Sequence, residues 1–147
     1  MNYELIMLKG ADRMRRSAKS LTKEIQNIAV SSYSTLNWRD GTMGQIEKIA
    51  ELTEIRNDCL AFYNAVVQAL KLTDKAYRAL LYAVYFKRVD KIELCRRYNV
   101  TVTTLYRKVW QARMNFKSCL EQLGYTENWF VKNYSDAEAR TADALKA

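Results

Sequence analysis

Residues 90–117 read DKIELCRRYNVTVTTLYRKVWQARMNFK. Two short helical patterns meet there across a turn. Asp90 is placed to cap a helix from Lys91 to Tyr98. Asn99 takes the turn, because Asn tolerates left-handed backbone better than most non-Gly residues. Thr101 caps a second helix that continues to about Leu123, before Gly124. Leu105, Val109, Ala112, Phe116 and Leu120 form its apolar stripe. Two helices crossing at such a turn need an apolar residue on the first, a small residue at the close approach, and an apolar residue after the turn. Leu94, Cys95 and Val100 supply these, since a thiol behaves as a small hydrophobe. The pattern is that of a helix-turn-helix, whose second helix enters a DNA major groove. A plain basic three-helix bundle is the competing reading. It is outweighed because small residue, turn, cap and basic second helix coincide.

The exposed first turns of that second helix hold the candidate base readers: Val102, Thr103, Thr104, Tyr106 and Arg107. Thr can donate, accept or offer its methyl to a thymine, and Arg can clamp a guanine. Lys87, Arg88, Lys91, Arg96, Arg97, Thr101, Lys108 and Arg113 are the candidate phosphate contacts, which set position without reading sequence. Trp110 reads as core. Charge supports the placement. Residues 71–120 carry 12 Lys/Arg against 3 Asp/Glu, whereas residues 1–70 carry 9 against 8. A localised basic excess is the footprint of a nucleic-acid binder, although a solvated basic surface gives the same count.

Outward from this stretch, Asp74 and the residues after Thr73 open another helix, with Thr73 as its expected cap and Lys87 near its end. Ala76, Leu80, Leu81, Val84 and Tyr85 would face inward. Residues 45–71 are helical by spacing, with Glu47, Glu51, Glu54 and Asp58 outside. Residues 31–44, SSYSTLNWRDGTMG, cluster Ser, Thr, Asn, Asp and Gly and read as a loop. Tyr33, Leu36, Trp38 and Met43 would tuck it against helices or a partner. Residues 3–30 form one continuous apolar stripe, interrupted only by Gly10. The spacing leaves an antiparallel hairpin and a dimer equally open for these two helices. At the other end, Thr126–Tyr134 is a short amphipathic piece holding Trp129, Phe130 and Val131, whose aromatics would pack back on the core or on a partner, and Ser135 with Glu138 suggests a capping box.

The expected fold is therefore all-α: a long-helix hairpin or coiled-coil segment over 1–71, a helix-turn-helix unit over 72–124, and a short helix and tail over 125–147. Several functions are disfavoured. The chain has no His, no Gly-rich phosphate loop, no paired-carboxylate motif and no metal-ligand spacing, so an enzyme or a cofactor protein is not expected. Three scattered cysteines, Cys59, Cys95 and Cys119, read as reduced thiols of a cytoplasmic protein. No apolar run approaches membrane-spanning length.

The long helix, LeuCysArgArgTyrAsnValThr and the long basic helix that follow one another here resemble the C-terminal helix-turn-helix of sigma factors, region 4. Over residues 20–120 the chain resembles the small phage late-transcription regulators of the ArpU/RinA type, in which a helical segment and a Ser/Gly-rich loop precede an acidic helix and a sigma-like helix-turn-helix. Asn99 stands where Gly is common, Lys91 where an apolar residue is usual, and the Trp129–Phe130 tail is additional. The resemblance implies activation of late phage genes in the bacterial host cytoplasm, through contact with host RNA polymerase. The expected function is thus a sequence-specific, DNA-binding transcriptional regulator, working as a homodimer on double-stranded DNA. The alternative is a helical module that binds a host factor or polymerase without specific DNA binding, anchored by Trp38, Tyr106, Trp110, Trp129 and Phe130.

Overall fold

The computed structural model describes the backbone of residues 2–34 and 38–134 and the side chains of residues 2–30 and 43–134. The described chain is all-helical, with no strand. In order it contains α1 (Tyr3–Ser34), α2 (Trp38–Leu72), α3 (Lys75–Leu81) continued by a π-helical turn (Tyr82–Phe86), α4 (Lys91–Tyr98), α5 (Val102–Gln122) and α6 (Glu127–Tyr134). Among the described residues no helix is long and apolar enough to cross a membrane.

The two long helices pack on each other through most of the apolar spacing read from sequence, with Leu5 and Ile49 only half-buried and Ile46 54% exposed. Tyr3, Met7, Ala11, Met14, Ala18 and Leu21 of α1 are buried against Leu52, Ile55, Cys59, Phe62, Val66 and Ala69 of α2. Gly10 lies under the Phe62 ring, where an added Cβ would stand 3.4 Å from Cζ. The third layer is α5 with α6. Phe116, Leu120 and Phe130 complete the core, with Phe130 set against both Tyr3 and Phe62 and Tyr134 edge-on to Phe62 at 5.2 Å. Tyr3 Oη donates to the Tyr125 carbonyl at 2.9 Å. Burial pushes the Tyr3 phenol up to about 12, with Glu121 and Glu4 adding repulsion, and burial likewise pushes Tyr134 up to about 12, with Asp58 adding to it.

Four local expectations change. Residues 31–34 and 38–44 are helical and not loop, and residues 35–37 lie outside the described residues. Once nucleated, a helix gains one hydrogen bond per residue added, which outweighs the weak propensities of Ser, Thr and Asn. Met43 is 61% exposed and does not tuck against the helices, while the side chains of Tyr33, Leu36 and Trp38 lie outside the described residues. Thr73 is not the cap of α3. Asp74 holds that position without a side-chain bond, and the Thr73 hydroxyl donates back to the Ala69 carbonyl at 2.8 Å. Ala76 is exposed, while Leu80 and Leu81 are buried as expected. The possible capping box at Ser135 and Glu138 lies outside the described residues.

Candidate nucleic-acid interface

The turn between α4 and α5 is built from backbone bonds that the sequence prepares. Asn99 adopts φ 53°, ψ 51°, the left-handed region. With it there, Asn99 N–H donates to the Arg96 carbonyl at 3.3 Å and Val100 N–H to the Cys95 carbonyl at 3.0 Å. This pair of bonds is the Schellman closure, which satisfies carbonyls a helix end would otherwise leave open. Thr101 then caps α5: its Oγ1 accepts from Thr104 N–H at 3.3 Å. Leu94 is the buried anchor of α4, and Leu105, Ala112 and Phe116 hold α5 to the core. Val109 and Cys95 are half-buried beside them.

The entry into α4 is also special. The π-helical turn ends with Arg88 in the left-handed region at φ 51°, and Val89 N–H reaches back to the Ala83 carbonyl at 2.9 Å. An Arg is rarely left-handed, because its Cβ crowds the following carbonyl. The result is that Lys87 and Arg88 stand exposed just ahead of α4.

The proposed readers fall into two groups. Thr103, Tyr106 and Arg107 are exposed on the solvent side of α5, and Val102 is 38% exposed at its start. Thr104 is half-buried, and its Oγ1 accepts from the Thr101 hydroxyl at 3.1 Å, so that hydroxyl is already engaged. Among the proposed phosphate contacts, Lys87, Arg88, Lys91, Arg96, Arg97 and Thr101 are exposed and Lys108 is half-buried. They come from the end of the π turn, from α4 and from α5, and so flank the outward face of α5. Lys91 Nζ lies 3.3 Å from Tyr106 Oη and joins α4 to α5. Lys108 sits 6.0 Å from the Tyr98 ring and Lys87 5.6 Å from the Tyr82 ring. Glu93 pairs with Arg97 at 3.3 Å and with Arg96 at 3.9 Å. Exposed pairs of this kind are worth about 0–1 kcal/mol, so a phosphate can displace them.

Arg113 stands apart from this set. It is 18% exposed, and its Nε lies 3.3 Å from Oε1 of Glu4, which is fully buried. The guanidinium is engaged in the α1–α5 contact. The buried Glu4 was not apparent from sequence, since it falls between the apolar residues Tyr3 and Leu5 at the very start of α1. Trp110 moves the other way. It is 54% exposed, one turn beyond Tyr106, so it belongs to the outward face and not to the core. The stripe Leu105, Val109, Ala112 and Phe116 carries the signal that could have shown this. Position 110 sits 100° round the helix from Val109, away from the stripe.

A groove on another part of the described surface does not compete with this one. About 450 Å3 in volume, it is lined by Asp12, Arg15, Tyr63, Lys71, Arg78 and Tyr82. Arg15 is bound to Asp12 at 2.9 Å, which holds that carboxyl below its usual range, and Arg78 donates to the carbonyls of Lys71 and Thr73. Two of its three cations are thus spent inside the protein. The chain matches no protein-family model, no curated protein and no solved structure.

Proposed function

We propose that this chain is a sequence-specific DNA-binding transcriptional regulator that lays α5 into the major groove. One observation carries the reading. A capped helix follows a Schellman turn and presents Thr103, Tyr106 and Arg107 to solvent, with the exposed cations Lys87, Arg88, Lys91, Arg96 and Arg97 at the end of the π turn and on α4, which precede it. Thr103 and Arg107 would meet base edges, and Lys87, Arg88, Lys91, Arg96, Arg97 and Lys108 would hold phosphates. Arg113 is removed from the phosphate set by its pairing with Glu4.

The architecture that goes with this reading is a helical hairpin, α1 with α2, carrying a unit like sigma region 4 over residues 72–124. The resemblance adds a phage origin and contact with host RNA polymerase in the bacterial cytoplasm. A single copy offers one strong base-reading side chain, Arg107, so pairing two copies on a two-fold operator would supply the missing specificity.

The test is selection from a random duplex pool, followed by binding at several salt concentrations. A two-fold symmetric consensus supports both reading and pairing. Six phosphate contacts predict a slope of about −5 in log affinity against log salt. A protein that retains no duplex at low salt sinks the proposal. The exposed Trp110 favours one second reading, a protein-binding module, because Trp and Tyr dominate interface hot spots. That reading predicts capture of host polymerase by a protein that shifts no DNA.

A further inference from the structure

The outward face of α5 is more aromatic than edge reading requires. Tyr106 and Trp110 are 56% and 54% exposed, and Tyr98 at the end of α4 is 39% exposed. Among the described residues neither Tyr106 nor Trp110 stacks on another ring. Lys91 Nζ stands 3.3 Å from the Tyr106 hydroxyl but 5.8 Å from its ring centroid. The ammonium therefore lies off the hydroxyl end and not over a ring face. It also fixes the ring's direction, so less side-chain freedom is lost when the ring is covered.

In a closed duplex the grooves expose base edges, and the flat faces are hidden in the stack. An indole has a single N–H donor for edge reading, so its main recognition surface is its face. A face needs a face. Tyr106 and Trp110 are one helical turn apart, about 5.4 Å, whereas stacked nucleotides rise about 3.4 Å along a strand. Two neighbouring bases that use both rings must leave their stack. Beside the rings stand Lys91, bonded to the Tyr106 hydroxyl, and the exposed Arg107, cations of the kind a sugar-phosphate backbone requires. Open aromatic faces interleaved with cations are the common design of single-strand binding surfaces.

We infer that Tyr106 and Trp110 form a stacking platform for unpaired bases, so that the α4–α5 face binds single-stranded DNA such as a strand exposed in an opened duplex. The inference deepens the DNA-binding reading above and rests on it for the identity of the polymer. Duplex recognition through Thr103 and Arg107 and stacking through Tyr106 and Trp110 then share one basic surface.

Fluorescence anisotropy of the full chain decides it, using a labelled single strand of about 15 nucleotides, long enough for one such site. The closed duplex of the same sequence and the RNA version of the strand complete the set. The wild-type chain should bind the DNA strand, and Trp110→Ala and Tyr106→Ala should each weaken that binding about 10-fold or more, the loss expected for one stacked base. Trp110→Phe and Tyr106→Phe keep a ring and should recover most of it. Both positions are exposed, so circular dichroism should show the variants folded. Three results overturn the inference: no binding of the strand, an equal loss on strand and closed duplex, or tighter binding of the RNA. Duplex binding without strand binding defeats this inference alone, whereas binding of neither polymer defeats the DNA reading as well.

Discussion

Arg107 and Arg113 stand on one helix, less than two turns apart, and meet opposite surroundings. Arg107 is exposed and makes no ion pair among the described residues. Arg113 is mostly covered and bound to Glu4, a carboxylate with no exposed surface. Both count equally toward the basic excess of residues 71–120. They differ in what their charge does. Arg107 is hydrated and can exchange water for a phosphate or a guanine. Arg113 has already exchanged its water for Glu4, and the pair ties α5 to the first turn of α1. A basic count is therefore an upper bound on a basic surface. The same contrast holds for aromatic residues on the helix, with Phe116 fully buried and Trp110 half in water.

The sharpest way to break the comparison is at Arg113. Replacing it with Ala strands the buried Glu4 charge and should cost about 3–5 kcal/mol in urea unfolding. The double change Glu4→Leu with Arg113→Met removes both charges and should return stability to within about 1 kcal/mol of the parent. If the single variant is as stable as the parent, the pair is not buried as described. Arg107→Ala comes next. It should leave unfolding unchanged within about 0.5 kcal/mol, yet weaken the preferred duplex by about 1–3 kcal/mol. Equal losses on preferred and random duplexes would make Arg107 a phosphate contact. Thr101→Ala should cost about 1 kcal/mol through the lost cap of α5, read as a lowered melting temperature.

A further effect appears only at alkaline pH. Tyr3 and Tyr134 have phenols raised from 10 to about 12 in the folded chain. Groups raised on folding stabilise fully below the unfolded value, and that contribution is lost as pH climbs through the folded one. Melting temperature should thus fall between pH 10 and pH 12, and Tyr134→Phe should flatten part of that fall.

How much was legible before the structure follows from which interactions are local. Asn99 and Thr101 act within four residues of themselves, so turn and cap could be read directly. The stripes of α1, α2 and α5 also follow from helical spacing alone. Thr73 misled because a Thr hydroxyl can serve its own helix as well as the next, and here it returns to Ala69. In the 31–44 segment Ser, Thr and Asn have weak helix propensity, yet residues 31–34 and 38–44 continue the helices that run into them. Glu4 with Arg113 was illegible, because 109 residues separate the partners and nothing local marks either. Trp110 was misplaced by composition, although its angular position spoke against burial.

Helix α4 has a consequence of its own. It is eight residues long, bracketed by the left-handed Arg88 and Asn99, and Leu94 is its one buried side chain. Isolated helices that short do not persist in water. Release of Leu94 is then enough to open the whole element without disturbing Phe116 or the layer beneath it. Backbone amides from Leu94 to Tyr98 should trade hydrogen for deuterium together and early, in a local opening of low free energy. Amides of α5 from Val109 to Phe116 should wait for the unfolding of the entire core. A long DNA backbone laid across Lys91, Arg96 and Arg97 would close that gap in exchange time, marking α4 as the element that ligand contact sets in place.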